Sequence, residues 1–226
     1  EFVHSNINGV HNLLKLINNK PRYRMPILLH FSTDEVYGDI LEGAHTETDL
    51  LKPSNPYSAT KAAADQLILA WARTFNVPYV IVRPTNNYGI GQYTEKFIPK
   101  SIKSLQLGRP IPLHDEGKPR RTWLHVKDTA DAVLFLIDKD VKNEIFNISG
   151  NYEDSNLNVF KKILRTAKLD LDKYDDYVDF SVQRPGQDVR YSIDDSKLRS
   201  LGWSNTRIFD KEIKKIVKHH MKDFIW

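Results

Sequence analysis

The sequence predicts an α/β protein built on a doubly wound parallel sheet, with a smaller C-terminal α/β lobe. Three observations carry that expectation. Short, nearly continuous apolar runs such as Ile27-Leu28-Leu29-His30-Phe31 and Tyr79-Val80-Ile81-Val82 have the pattern of parallel strands covered on both faces. Helix-patterned segments stand between and around them, which calls for right-handed crossovers. A polar cluster follows the first run directly, at the sheet end where ligands bind in open α/β folds.

Taken in order, Val3, Ile7, Val10, Leu13, Leu14 and Ile17 recur at three- and four-residue steps, which predicts a helix with one buried face, bracketed at its end by Pro21 and Pro26. The strand at Ile27–Phe31 follows, with Ser32-Thr33-Asp34-Glu35 at its carboxyl end. Asn55-Pro56 supplies a cap and a first-turn proline for a helix from Pro56 to Phe75. The second strand, Tyr79–Val82, is closed by Arg83-Pro84. A helix over about Glu95 to Leu107, short segments around Ile111–Leu113 and Thr122–Val126, a helix from Asp128 to about Ile137 and a strand at Ile145–Ile148 come next. Beyond Gly150 the pattern predicts a helix near Asn158 to Ala167, an extended piece at Val178–Val182, a short helix capped near Asp194 and a last helix from Phe209 to Phe224. Internal repeats, linkers and low-complexity tracts are not apparent.

With 226 residues the chain can bury one sizeable core, or one core with a lobe attached. The formal net charge of +4 is spread among nearly as many acids as bases. The densest basic stretch, Lys211 to Lys222, alternates with Ile213, Ile216, Val217 and Met221 at helical spacing, the pattern of a solvated helix face, so nucleic acid is not expected as a partner. No run approaches the ~18 apolar residues of a membrane-spanning helix, so no membrane partner is expected either. Cysteine is absent, which rules out a disulfide framework and makes the cytoplasm the simpler compartment. The eight histidines show no metal-ligand spacing with acids, and no metal is expected.

Tyr57 and Lys61 stand one helical turn apart on a predicted helix, so their side chains share a face. An ammonium beside a phenol favours the phenolate, and this reading expects Lys61 to lower the Tyr57 pKa toward a usable base. The spacing alone is common. Its position after a strand with a polar end gives it weight. Thr33, Asp34 and Glu35 add a hydroxyl and two adjacent acids at that strand end. Two carboxyls in different environments are what elimination of water needs, one neutral to protonate the leaving hydroxyl and one ionised to take a carbon-bound proton. A loop cap is the bland reading of the same triplet.

At this point a resemblance becomes specific. Ser32-Thr33-Asp34-Glu35-Val36-Tyr37-Gly38, Asn55-Pro56-Tyr57-Ser58-Ala59-Thr60-Lys61, Asn86-Asn87-Tyr88-Gly89, Arg121-Thr122-Trp123-Leu124-His125-Val126 and Arg184-Pro185-Gly186-Gln187-Asp188 resemble, in order and spacing, the dTDP-glucose 4,6-dehydratases of the extended short-chain dehydrogenase/reductase type. The similarity runs through essentially the whole chain. It implies a Rossmann-type sheet whose NAD-binding remainder takes up residues 1–90 and 120–150, with a sugar-nucleotide lobe at 91–119 and 151–226.

The resemblance further implies that Tyr57, with Lys61, takes the proton from the sugar 4-hydroxyl while NAD accepts hydride from carbon 4. Thr33 would bond near that hydroxyl, Glu35 would remove the carbon-5 proton, and Asp34 would protonate the departing 6-hydroxyl. Asn6, Ser32, Tyr57 and Lys61 are implied contacts for NAD, and Asn87, Glu95, Lys96, Arg121, Arg184 and Asp188 for the sugar nucleotide. Related epimerases usually carry small residues at Asp34 and Glu35, and decarboxylases usually keep only the glutamate. Gln187 stands where bacterial dTDP-glucose enzymes often have histidine, which leaves UDP-glucose open as the substrate. The resemblance also implies a homodimer formed through the helices at Val3–Ile17 and Pro56–Phe75. The Gly-x-x-Gly-x-x-Gly turn and three sheet strands with which the family's pattern begins are missing ahead of Glu1, so the chain by itself is expected to bind NAD poorly and to turn over slowly or not at all.

Overall fold

The structure is a computed structural model that describes residues 1–182 and 188–222. The chain divides into two compact units. The first comprises Glu1–Thr85, Ala130–Ser149 and Tyr191–Ser204, and the second Asn86–Thr129, Gly150–Arg190 and Asn205–Trp226. This grouping differs from the expected boundaries chiefly at residues 86–90, 120–129 and 191–204. Residues 120–125 form a strand that pairs within the second unit, and the helix near residue 196 packs on a strand of the first.

In the first unit, strands β1 (Leu28–Phe31), β2 (Tyr79–Pro84) and β6 (Glu144–Ile148) form a parallel sheet in the order β1-β2-β6. Helix α1 (Gly9–Asn18) and helix α2 (Pro56–Phe75) cover one face. Their Val10, Leu14, Ile17, Ala64 and Ile68 pack with Leu28, Tyr79 and Ile81. Strand side chains alternate between faces, so Leu29 and Val80 point the other way. There they line a cavity of about 280 Å³ with Leu136 and Ile137 of α4 (Val126–Asp138). Helices on both faces make the sheet doubly wound. A short helix α6 (Ser196–Ser200) lies along β6.

The predicted buried face of the first helix is narrower than its apolar pattern. Val10, Leu14 and Ile17 are buried, whereas Val3 is 57 % and Leu13 49 % exposed. Val3 lies in the π-helical stretch Val3–Asn8, whose wider turn takes it out of register with α1, and Leu13 lies on α1 itself beside the Val10, Leu14 and Ile17 stripe.

The second unit holds two sheets. Strand β5 (Arg120–His125) pairs in parallel with β3 (Asn86–Tyr88) and antiparallel with β7 (Tyr152–Ser155). The two-residue strands β4 (Ile111–Pro112) and β8 (Val178–Asp179) form a parallel pair. Helices α3 (Phe97–Gln106), α5 (Asn156–Thr166) and α7 (Phe209–Lys222) close over Tyr88 and Trp123, burying Ile98, Ile102, Val159, Ile163, Ile213 and Ile216. Strands β3 and β7 are absent from the expected elements. Asn86-Asn87 and Glu153-Asp154 are poor strand formers, and partner strands hold them extended. The described part of the last helix ends at Lys222, and Phe224 lies outside the described residues. Among the described residues, no helix is long and apolar enough to cross a membrane.

A chain of buried polar groups runs through the first unit beside the carboxyl end of its sheet. Asp65 of α2, fully buried, accepts from Arg83 Nε at 3.0 Å and from Ser32 Oγ at 3.0 Å on the same oxygen, Oδ2. Arg83 Nη1 donates to the Tyr37 hydroxyl at 2.6 Å, and Tyr37 in turn donates to Asn147 Oδ1 at 2.9 Å. His30 Nε2 stands 3.5 Å from the other Asp65 oxygen.

Two predictions follow from this packing. Burial, assisted by the charges of Lys61 and Arg83, pulls the His30 imidazole from 6.5 to about 3. The folded chain keeps His30 neutral across that interval while the unfolded chain protonates it, so the unfolded state binds more protons. The contribution to stability is complete above pH 6.5 and is lost as pH falls toward about 3. From neutral pH to about pH 5 the unfolding free energy should drop by about 2 kcal/mol from this group, a slope missing in His30→Gln. Equal slopes by urea titration in both proteins would refute it. Gly38 has φ +83°, and a Cβ there would stand 2.3 Å from the Lys52 carbonyl oxygen. Gly38→Ala should therefore cost about 1–3 kcal/mol in strain. A urea midpoint equal to that of the parent chain would show that the loop absorbs the methyl.

Candidate functional site

The end of β1 and the start of α2 bring the sequence-predicted catalytic residues together. Leaving β1, the chain turns through one short 3₁₀ segment, Asp34–Tyr37, whose first orphan amides need an acceptor. Thr33 supplies it: its Oγ1 accepts from the Glu35 amide at 3.3 Å and donates to Asp34 Oδ1 at 3.2 Å. Thr33 and Asp34 are buried and Glu35 half-buried, so the two acids occupy different environments on consecutive residues.

Helix α2 begins with a reciprocal cap. Asn55 Oδ1 accepts from the Ser58 amide at 2.9 Å, and the Asn55 amide donates to Ser58 Oγ at 3.3 Å, with Pro56 at the first helical position. The same Asn55 donates from Nδ2 to Glu35 Oε2 at 3.2 Å. One side chain thus fixes where α2 starts and ties that start to the acidic turn. Asn55 belongs to the site, a role the sequence reading gave only to helix capping.

Tyr57 is half-buried, with the Phe2 ring edge-on to its own at 5.4 Å. Lys61, one turn on, donates from Nζ to the Phe31 carbonyl oxygen at the end of β1. The expected lowering of the Tyr57 phenol by Lys61 is not what the geometry produces. Burial pushes the phenol up, and the charges of Glu35 and Asp34 push it further. Lys61 is turned to the Phe31 carbonyl, and the charge that acts on its ammonium is Asp65, which supports the charged form against burial. The sequence signal for Asp65 is its spacing: Tyr57, Lys61 and Asp65 recur every fourth residue along α2.

Of the expected cofactor contacts, Ser32 is buried at the strand end with its hydroxyl on Asp65, and Asn6 donates from Nδ2 to Thr60 Oγ1 at 2.9 Å. Thr60 in turn donates to the Tyr57 carbonyl at 2.8 Å, so Asn6 and Tyr57 are linked through one residue of α2.

The expected sugar-nucleotide contacts lie in the second unit. Asn87 of β3 accepts from Thr129 Oγ1 at 2.5 Å. Arg121 is buried, and its guanidinium donates to the Arg120 carbonyl at 2.7 Å and the Asp188 carbonyl at 3.0 Å, so Arg121 and Asp188 are neighbours. Glu95 and Lys96 pair with each other at 3.3 Å on open surface. Arg184 lies outside the described residues. Sequence reasoning did not single out Glu153, on which Arg190 closes through Nε at 2.9 Å and Nη2 at 3.0 Å while Arg120 approaches at 2.8 Å. Such a fork recognises a carboxylate through two parallel bonds.

Comparison with known proteins places this geometry. The dTDP-glucose 4,6-dehydratase of Haemophilus influenzae is 39 % identical over 98 % of this chain and 70 % of its own length. A trifunctional plant protein of Arabidopsis thaliana, named for UDP-glucose 4,6-dehydratase, 3,5-epimerase and reductase activities, is 35 % identical over the whole of this chain and 34 % of its own. The crystal structure of the dTDP-glucose 4,6-dehydratase DesIV of Streptomyces venezuelae, with NAD and TYD bound, superposes with a TM-score of 0.91 at 31 % identity, over 98 % of this chain and 67 % of that one. Residues 1–149 match the model of the NAD dependent epimerase/dehydratase family, and with these relatives they show that the chain belongs to that family.

Proposed function

We propose that this chain carries the sugar-transforming residues of an NAD-dependent nucleoside-diphosphate-glucose 4,6-dehydratase, with dTDP-glucose as substrate and the 4-keto-6-deoxy sugar nucleotide as product. The observation that carries the reading is electrostatic. The Tyr57 phenol feels both Glu35 and Asp34, so a base and two acids act within one site at the end of β1. Epimerisation at carbon 4 needs the phenol alone. Elimination of water needs the acids as well.

The donors present fit the nicotinamide-ribose end of NAD. Lys61 spends one of its three N–H groups on Phe31, leaving two for ribose hydroxyls; Asn6 keeps one amide N–H beyond its bond to Thr60, and Ser32, whose O–H is on Asp65, can accept. When bound, NAD supplies the hydride acceptor and donor that an internal redox reaction requires. Tyr57 takes the proton of the 4-hydroxyl, and Thr33 holds that oxygen. The ketone so formed acidifies the proton at carbon 5. Glu35, tethered by Asn55, removes it, and Asp34 delivers its proton to the 6-hydroxyl, which leaves as water. A neutral Asp34 also removes one of the two charges that oppose the Tyr57 phenolate, so its role as acid suits the phenol's role as base. Asn87, Glu95, Lys96, Arg121, Arg184 and Asp188 are assigned to the sugar nucleotide on the family pattern.

Incubation with dTDP-glucose and a large excess of NAD, which offsets the poor NAD binding expected of the chain by itself, should give the alkaline absorbance of a 4-keto product, with UDP-glucose turned over more slowly. Glu35→Gln and Asp34→Asn should each lower kcat by about 10²–10⁴. Glu35→Gln should also abolish solvent deuterium at carbon 5 of the product. Conversion to a 4-epimer without loss of water would overturn the assignment.

The same proposal includes a homodimer formed through the outer faces of α1 and α2, supported by Leu13, Leu16 and Phe75 at 49 %, 57 % and 43 % exposure. Its compartment would be the cytoplasm, consistent with a chain that has no cysteine to oxidise. Light scattering should give twice the chain mass, and Leu16→Glu should shift it toward one. A single-chain mass for the parent protein would remove the dimer.

A further inference from the structure

The residue that the catalytic reading leaves without a task is Asp65. It is fully buried, as is Arg83 at 2 % exposure, and the two are joined at 3.0 Å. Isolated charges at such depth are very costly, and Arg83 cannot shed its proton. Burial pushes the Asp65 carboxyl up, while Arg83, the Ser32 hydroxyl and Lys61 pull it back. With a permanent cation on its Oδ2, the ionised form is the one that balances the pair.

The second oxygen faces elsewhere. Oδ1 stands 3.5 Å from His30 Nε2, and His30 is neutral, so this contact neutralises no charge on Asp65. The other cation on the same helix face is Lys61, four residues earlier, a spacing that puts side chains side by side. The charged group that acts on Lys61 is Asp65 on α2, and Lys61 in turn acts on His30 of β1, as does Arg83 of β2; Asp34 and Glu35 of the turn after β1 act on Tyr57, one turn before Lys61 on α2. Its neighbour from the π-helical stretch, Asn6, is uncharged. Tyr57 faces the acids of the turn, leaving Asp65 as the counter-charge to the ammonium.

We infer that Asp65 is a positioning residue for the cofactor side of the site: it fixes the Ser32 hydroxyl and, one helical turn from Lys61, is the buried counter-charge of the side chain that donates to the Phe31 carbonyl. The inference rests on the proposed reading of Lys61 and Ser32 as NAD contacts. It explains why the same carboxylate oxygen is shared by Ser32 and Arg83, since Arg83 anchors the carboxylate in the place from which both other groups can be reached. The lysine meanwhile sits in a half-buried position where burial works against its charge. Without Asp65 it would lose protons more readily, and a neutral amine keeps one donor fewer.

Competitive labelling with an amine reagent over an alkaline pH series, read on the Lys61 peptide by mass spectrometry, tests this in the chain itself. Asp65→Asn and the double variant Asp65→Asn/Arg83→Gln are compared with the parent, the double variant because it leaves no unpaired guanidinium. In both, the Lys61 midpoint should fall by about one unit, giving about tenfold faster labelling below it. An unchanged midpoint in the double variant overturns the inference, even where the single variant shifts, because the shift then belongs to a stranded Arg83. Loss of the native far-UV circular dichroism in both variants overturns it too, by making Asp65 a residue of the fold alone. Neither readout uses turnover or NAD, so failure here and failure of the dehydratase reading are seen separately.

Discussion

The ion pair between Asp65 and Arg83 sets the geometry of the first unit's sheet end. Two fully buried charges are tolerable only when paired and hydrogen-bonded, and removing one partner of such a pair typically costs about 3–5 kcal/mol. The pair therefore dictates position: α2 must present Asp65 to β2, where Arg83 lies, at 3.0 Å. From there the constraint spreads along both partners. Arg83 reaches Tyr37 in the turn after β1, and Tyr37 reaches Asn147 at the end of β6. All three strands of the parallel sheet and the helix that carries Tyr57 and Lys61 are thus tied near their ligand-binding end by polar contacts, while Leu14, Ile68 and Ile81 fill the apolar side.

The two acids of the turn obey a more local constraint. Thr33 caps the 3₁₀ segment and keeps Asp34 buried, whereas Glu35 projects to Asn55 at the entry of α2. Adjacent residues in a tight helical turn cannot face the same way, so the different environments of the two carboxyls follow from backbone geometry before any ligand arrives. Asn55 makes the consequence exact in space, because its own side chain is already committed to the helix cap.

Much of this is legible in the sequence, and the parts that are not have definite causes. Apolar runs announce β1, β2 and β6, and Asn55-Pro56 announces α2 to the residue. The triplet Thr33-Asp34-Glu35 and the Tyr57/Lys61 pair fall at one strand end as their spacing implies. Strands β3 and β7 are hidden because polar residues such as Asn87 and Glu153 are extended by their neighbours rather than by their own preference. The exposure of Val3 is hidden because a π-helical turn leaves no mark in apolar spacing. The direction of the Tyr57 shift is hidden for another reason: helical spacing puts Lys61 beside Tyr57 but equally beside Asp65, and only the fold shows which neighbour it serves.

That division of labour along α2 has a chemical logic. A lysine spent on lowering the phenol would have to lie near it, close also to Glu35 and Asp34, and three opposite charges would compete for one cation. Lys61 donates to the Phe31 carbonyl and its charge is supported by Asp65, while burial and the two acids of the turn hold the phenol above its ordinary value. A resting phenol cannot take a proton. Positive charge entering beside it, or loss of the charge on either acid, would ease its ionisation. On the proposed roles, the residue that gives its proton to the departing hydroxyl is the same one whose neutral form takes a negative charge away from the phenol.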